Sequence, residues 1–203
     1  MQIDTFTGGI FDTNCFFLPE YGILIDAPQG AASWLADHGH SVKNLLLTHG
    51  HIDHVWDAAH IQRQHHCQVG YHPDTQPMVT QPNFFRNFGF NWNIETITPG
   101  FQIFATPSLI IHGLDLQVLE VPGHCDGSLC FFEKKSQVLF GGDVLFAGSV
   151  GRTDLPGGHT ATLLDGIRKK IFPLGDPVRV LSGHGPETSI GHERRTNPFV
   201  GEK

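Results

Sequence analysis

Residues 45–54 read LLLTHGHIDH, an apolar run followed at once by three histidines and an aspartate. Three consecutive leucines bounded by polar residues are typical of a buried strand. Histidine and aspartate side chains gain nothing from apolar packing, so packing does not account for His49, His51, Asp53 and His54. The stretch therefore predicts a buried strand that ends in a polar cluster.

The same arrangement returns three times later in the chain. VLEVPGH ends at His124, VLFGGD ends at Asp143 and VRVLSGH ends at His184. In each segment an apolar strand is followed by small residues and then by a side chain that can bind a metal. Glycine just before each of these side chains permits a tight turn and a close approach of the backbone. If these strands end on one edge of the sheets, seven ligand-type groups could converge there.

The residue types suit a centre with two metal ions. Imidazole binds zinc, iron and related ions, and a carboxylate has two oxygens that can bridge two metals. Three histidines with a shared carboxylate would serve one ion, and two histidines, a second aspartate and the same carboxylate would serve the other. Two ions about 3.5 to 4 Å apart lower the pKa of a bound water toward about 7 and polarise a carbonyl. Such a centre would supply a hydroxide nucleophile at neutral pH.

Composition narrows the class of protein. A chain of 203 residues with 39% hydrophobic and 16% charged residues predicts a single domain spanning residues 1–203. The formal net charge of -7 argues against nucleic acid as a partner. The N-terminus lacks the pattern of a signal peptide, and no apolar run approaches the roughly 18 residues of a membrane helix, so a cytoplasmic protein without membrane contact is expected. The four cysteines show no paired spacing and are predicted to be reduced thiols.

Hydrophobic periodicity predicts an α/β protein with mixed sheets covered by helices. Nine short runs rich in branched and aromatic residues are predicted strands: 15–18, 22–25, 44–47, 68–71, 109–111, 116–121, 129–132, 138–140 and 178–181. A turn over residues 133–136 joins two of them as a hairpin. Helical patterns lie at 31–38, 54–65 and 160–172.

These motifs together resemble a known family. THGHIDH, VPGH, GGDVLF and LSGHGPET are similar to segments of the metallo-β-lactamase fold, and SVGRTDLPGG with ERRTNPFV resembles its short glyoxalase II-like hydrolases. The resemblance implies an αββα sandwich, in which two mixed β-sheets are flanked by helices and metals bind at one edge. It also implies which metal each side chain binds: His49, His51 and His124 the first, Asp53, His54 and His184 the second, with Asp143 bridging them. Asp53 and Asp143 are the expected catalytic carboxylates.

Residues 80–93, TQPNFFRNFGFNWN, are the segment least like the family. Phe85, Arg86 and Trp92 could form an apolar wall and a carboxylate anchor for a substrate. Alternatively, the segment could be a short helix that packs its aromatic side chains into the protein core. Arg152 in GRTD could anchor a substrate or pair with Asp154, and the tight glycines favour the ion pair. Glyoxalase II proper carries a further helical domain with much of its glutathione site, so that site is not carried over to this chain.

The leading functional hypothesis is hydrolysis of a small-molecule thioester such as an acylglutathione, with two divalent ions as cofactors. Zinc is the expected metal, with iron and manganese as alternatives. Persulfide dioxygenases also resemble the chain, and in that hypothesis His49, His124 and Asp143 would bind one iron. A β-lactamase and a structural zinc protein are the weaker alternatives, and whether the protein is a homo-oligomer is left open.

Overall fold

The computed structural model describes residues 1–81, 84, 86, 89 and 95–202. The chain divides into two compact units, Met1–Ile103 and Phe104–Lys203. Each unit contains one six-stranded sheet. None of the helices in the described part of the chain has the length and apolar character needed to cross a membrane.

The first unit is built on a mixed sheet with the strand order β1-β2-β3-β4-β5-β6. The first three strands are antiparallel neighbours, and β3 to β6 run parallel. The inner strands β2, β3 and β4 are buried along their whole length, as expected for an apolar run covered on both faces. The strands are Asp4–Gly8, Thr13–Leu18, Ile23–Ile25, Asn44–Leu46, Gln68–Tyr71 and Phe101–Gln102. The helices α1 to α4 are Ala31–Asp37, Ile52–Val55, Ala58–His65 and Gln76–Thr80, with a 3₁₀ turn at Pro73–Thr75.

The helix predicted over residues 54–65 is two helices, α2 and α3, separated near Asp57. The backbone N–H of Asp57 donates to the carbonyl of Ala27 at 2.9 Å, so it does not continue the helical ladder. The Asp57 carboxylate accepts from the backbone N–H groups of Gly30 and Ala32 at 2.9 and 3.0 Å. Contacts from distant residues therefore interrupt a helix that local periodicity predicts as continuous.

The second unit contains a mixed sheet with the strand order β14-β13-β10-β9-β8-β7. Only the pair of β10 and β13 is parallel among these neighbours. The sheet strands β7 to β10, β13 and β14 are Thr106–Ile111, Leu114–Glu120, Leu129–Glu133, Val138–Gly142, Arg179–Ser182 and Thr188–Ser189. A separate two-stranded ribbon joins β11, Leu145–Phe146, to β12, Ser149–Val150. The helices α5 and α6 are Thr160–Gly166 and Ile190–Thr196.

The helix predicted over residues 160–172 changes type along its length. Beyond α5 the chain forms a π-helix over Ile167–Ile171 and a 3₁₀ turn over Phe172–Leu174. Proline 173 has no N–H to donate, so a regular α-helix ends before it. The predicted apolar face is correct, because Leu163, Ile167 and Ile171 are fully buried.

All nine predicted strands fall on observed strands, and the hairpin of β9 and β10 is antiparallel as predicted. The α/β class, with two mixed sheets and helices, is confirmed. All four cysteines are buried thiols. Burial raises the pKa of the Cys67 thiol to about 11 and that of the Cys130 thiol to about 12, so both remain protonated at neutral pH.

Candidate metal centre

Four of the predicted ligands form a cluster just beyond β4 in the first unit. The loop after the strand contains His49 and His51, and the first residues of α2 include Asp53 and His54. The ring nitrogens His49 Nε2 and His51 Nδ1 are 3.2 Å apart, and His54 Nε2 is 3.5 Å from Asp53 Oδ2. The rings of His49 and His54 lie 4.2 Å apart between centroids. The predicted motif therefore brings its histidines and aspartate together.

Hydrogen bonds from buried residues orient these ligands. His54 Nδ1 lies 2.8 Å from the carboxylate of Asp26, and Thr13 Oγ1 donates to Asp53 Oδ2 at 2.8 Å. His49 Nδ1 is 3.1 Å from Thr48 Oγ1. An ionised carboxylate can only accept, so His54 donates its Nδ1 proton and its Nε2 lone pair is left for a metal.

The other three predicted ligands meet in the second unit. Asp143 directly follows β10, while His124 and His184 lie beyond β8 and β13. Asp143 Oδ2 is 3.5 Å from His124 Nε2 and 3.4 Å from His184 Nε2. Phe146 packs edge-on against the His184 ring at 6.0 Å between centroids. One carboxylate oxygen thus faces two imidazole nitrogens from different strand ends.

The GRTD loop orients His124 through its backbone. His124 Nδ1 lies 2.7 Å from the carbonyl oxygen of Arg152, which can only accept, so His124 Nε2 is left as the metal-facing nitrogen. The Arg152 side chain points to Asp154, with two hydrogen bonds of 2.7 and 2.8 Å. That pairing lowers the pKa of Asp154 to about 2. The predicted ion pair is present, and a contact between Arg152 and substrate stays a prediction.

Of the predicted substrate residues in 80–93, Phe85 and Trp92 lie outside the described residues. Arg86 is described, and its side chain is exposed. Their contact with a substrate stays a prediction.

Asp26, Thr48 and Thr13 are not among the site residues predicted from sequence. A signal for Asp26 was present, because ILID places an aspartate directly after the buried strand β3, as VLFGGD does after β10. Asp26 also has a positive φ of 60°, which aspartate tolerates better than most residues. Thr13 is the first residue of β2 and Thr48 follows β4, and neither carries a comparable sequence signal.

The donor set fits divalent metal ions. All seven predicted side chains are candidate metal ligands. They are imidazoles and carboxylates, the ligand types that zinc, iron and manganese accept. Hydrogen bonds fix the ring orientation of His54 and His124 as is usual for metal-bound histidine. The chemistry and the orientation of the donors therefore fit a candidate metal site.

The family sequence model of the Metallo-beta-lactamase superfamily matches residues 8–184. The chain belongs to this superfamily, and it is a metal-dependent hydrolase of the metallo-β-lactamase fold.

Individual relatives and solved structures match the chain along nearly its whole length. The chain is 34% identical to "Hydroxyacylglutathione hydrolase GloC" of Haemophilus influenzae, over 100% of this chain and 100% of the relative. The crystal structure of BLEG-1 B3 metallo-beta-lactamase is 33% identical with a TM-score of 0.90, covering 98% of this chain and 99% of that one. The structure of TTHA1623 in a di-iron-bound form is 32% identical with a TM-score of 0.83, covering 97% and 100%. Similarity along nearly the full chain thus extends to proteins named for different activities and to a protein in a di-iron-bound form.

Proposed function

We propose that the protein hydrolyses a small-molecule thioester at a centre of two divalent metals. His49, His51 and His124 would bind the first metal, and Asp53, His54 and His184 would bind the second. Asp143 would bridge them. Zinc is the proposed metal, with iron as the alternative favoured by the di-iron form of TTHA1623. The proposal takes residues 1–203 as one cytoplasmic domain.

The observation that carries the two-metal proposal is the position of the Asp143 carboxylate. Its Oδ2 atom lies 3.5 Å from His124 Nε2 and 3.4 Å from His184 Nε2. These two histidines are assigned to different metals, and a shared carboxylate between them is what a bridging ligand requires. A mononuclear site would leave His184 without a role.

Two bound divalent ions would lower the pKa of a bound water toward about 7 and would polarise the carbonyl of the substrate. The protein holds the histidines so that the lone pairs of His54 Nε2 and His124 Nε2 remain available. Thr13 holds Asp53 by donating to Oδ2. In the reaction, the oxygen of water bonds to the carbonyl carbon, the carbon–sulfur bond breaks, and a carboxylic acid and a thiol are released.

Two points support a thioester as the substrate. The chain is 34% identical along its full length to a hydroxyacylglutathione hydrolase. A thiolate is also a good leaving group that needs little help from an acid, and no candidate general acid is required of the chain. Phe85, Arg86, Trp92 and Arg152 are the proposed substrate contacts.

The test is Asp143→Asn, which keeps the shape of the side chain and removes the charge shared by two cations. We expect metal content per chain to fall and thioester hydrolysis to drop by more than about 100-fold, since even residues that only orient metal ligands are often worth 10 to 100-fold. Metal content is measured by elemental analysis, and thiol release is measured on S-lactoylglutathione and on simple acyl thioesters. Asp165→Asn, the same change on the exposed face of α5, is the control. Two metals per chain with normal turnover in Asp143→Asn would remove Asp143 from the centre.

Hydrolysis of a β-lactam is the second candidate, because BLEG-1 is 33% identical and carries that name. A chromogenic cephalosporin assayed beside the thioesters separates the two candidate functions, and the substrate with the higher kcat/KM identifies the activity.

Running the thioester assay under argon and in air tests the dioxygenase alternative. Turnover that continues without oxygen excludes it.

A further inference from the structure

The C-terminal helix α6 carries a fully buried carboxylate, Glu193. Its Oε2 atom accepts from the backbone N–H of Gly148 at 2.9 Å and from Asn197 Nδ2 at 2.8 Å. Its Oε1 atom accepts from Thr188 Oγ1 at 2.5 Å. A buried carboxylate is costly unless hydrogen bonds compensate it, so these contacts are what keep it there.

Nearby cations do not account for the burial of this carboxylate. Arg194 and Arg195, which follow it on α6, lie 3.4 and 3.5 Å from the carboxylate of Asp176. His192 Nε2 is 4.0 Å from Glu193 Oε1, and the His192 side chain is exposed. The Glu193 carboxylate is therefore held by hydrogen bonds and not by a salt bridge. One of these bonds comes from Gly148 in the turn between β11 and β12.

Asn197 makes a second link between α6 and this ribbon. Its side-chain amide donates to the carbonyl of Ser149 at 2.9 Å as well as to Glu193. Its Oδ1 atom accepts from the backbone N–H groups of Phe199 and Val200 at 3.0 and 3.3 Å. The ERRTNPFV segment thus fixes both the N–H of residue 148 and the carbonyl of residue 149.

The clamped ribbon leads directly into the metal site. Gly151 follows β12, and a Cβ at this position would overlap the backbone carbonyl of Asp143 and lie 3.1 Å from His124 Nδ1. The next residue, Arg152, accepts the hydrogen bond from His124 Nδ1. A shift of residues 148–152 would therefore move the group that orients the His124 ring.

We propose that Glu193 and Asn197 are positioning residues for His124. They hold residues 148–152 so that the Arg152 carbonyl keeps the His124 proton on Nδ1 and leaves Nε2 for the metal. This inference rests on the proposed metal centre and not on the proposed substrate. It gives a role to the segments SVGRTDLPGG and ERRTNPFV, neither of which contains a proposed metal ligand.

The test compares Glu193→Ala with Glu193→Gln. The alanine variant loses every hydrogen bond of the carboxylate, whereas glutamine can accept from Gly148 and Asn197 through its oxygen and donate to Thr188 through its amide. We expect Glu193→Ala to weaken metal binding by roughly tenfold, the lower end for a residue that orients a ligand, and Glu193→Gln to restore it. Calorimetric titration of the metal-free protein measures the affinity. Nitrogen chemical shifts of the His124 ring in the metal-free protein report its tautomer, which we expect to become mixed in Glu193→Ala.

His124→Ala is the reference variant. The binding step that this variant loses in the titration is the step of the first metal, to which His124 is assigned. Ile190→Val, a small truncation in the buried face of the same helix, controls for loss of stability and should bind metal within about twofold of the unmodified protein. Asn197→Asp places an oxygen against the Ser149 carbonyl and the Glu193 carboxylate, and should reproduce the weakening if Glu193→Ala does not fold.

The outcomes separate the two proposals. If His124→Ala binds metal as the unmodified protein does, the proposed metal centre is wrong. If His124→Ala loses a binding step but Glu193→Ala and Asn197→Asp keep normal affinity and a single His124 tautomer, the centre stands and the positioning role is overturned.

Discussion

The carboxylate of Asp26 accepts three hydrogen bonds, two from Thr48 and one from His54. Oδ1 accepts from the backbone N–H of Thr48 at 2.8 Å. Oδ2 accepts from Thr48 Oγ1 and lies 2.8 Å from His54 Nδ1. Because Thr48 Oγ1 is also 3.1 Å from His49 Nδ1, one carboxylate supports the histidines assigned to both metals.

Asp26→Asn should weaken metal binding without unfolding the protein. An asparagine has one acceptor oxygen, so its amide must face either the Thr48 N–H or the His54 Nδ1 proton, and both are donors. Rotation of the amide toward His54 would move the ring proton to Nε2 and block the metal-facing nitrogen. We expect a loss of about 10 to 100-fold in metal affinity, measured by calorimetric titration.

Asp57→Asn is the matched control for this substitution. The side chain of Asp57 uses one oxygen, Oδ2, to accept hydrogen bonds from the backbone N–H groups of Gly30 and Ala32. The single oxygen of an asparagine side chain can accept both. Metal affinity should stay near that of the unmodified protein. Equal affinities in Asp26→Asn and in the control would show that Asp26 has no part in orienting His54.

At the level of elements, the candidate ligands lie in turns that follow strands. These positions were predictable from the sequence. An apolar run and the ligand after it are adjacent in the chain, so LLLTHGHIDH and VLFGGD reveal both together. The supporting contacts were not predictable, because their partners are remote in sequence. Asp26 and His54 are separated by 28 positions, and Gly148 and Glu193 by 45. The break between α2 and α3 has the same cause, since the backbone N–H of Asp57 donates to the carbonyl of Ala27 rather than to the preceding helical turn.

Gly151→Ala tests how closely the turn after β12 is fitted to the site. The added methyl would overlap the Asp143 carbonyl and crowd His124, so the backbone has to move. Overpacking of this kind costs about 1–3 kcal/mol of stability, and here we also expect weaker metal binding. Thermal unfolding and metal titration measure the two effects.

Gly141→Ala in β10 provides the comparison for this turn. A Cβ at residue 141 would meet its nearest neighbours, Val180 and Leu181, at 3.5 and 3.9 Å, which is ordinary contact. Its metal affinity should be unchanged. If Gly151→Ala also binds metal normally, the turn is more adaptable than its close contacts indicate.

At the scale of the whole molecule, the proposed centre makes folding depend on metal. The candidate ligands lie in turns after strands of both sheets, at positions separated by long stretches of chain. An unfolded chain does not hold such ligands together, so metal binds the folded state far better and stabilises it by mass action.

Free metal at about 100 times its dissociation constant should add about 2.7 kcal/mol per site to the free energy of unfolding. For a chain of this length each filled site should raise Tm by about 5 to 11 °C over protein treated with a chelator, and two filled sites should raise it by about twice that. His124→Ala should lose the contribution of one metal, because the first proposed site depends on that ring. His60→Ala, which removes an exposed histidine on α3, should keep the full increase and so controls for binding at surface histidines. The measurement is thermal unfolding with metal and with chelator for all three proteins. A Tm that is the same in metal and in chelator would mean that the histidines and aspartates after the strands do not bind metal in the folded protein, whatever their arrangement.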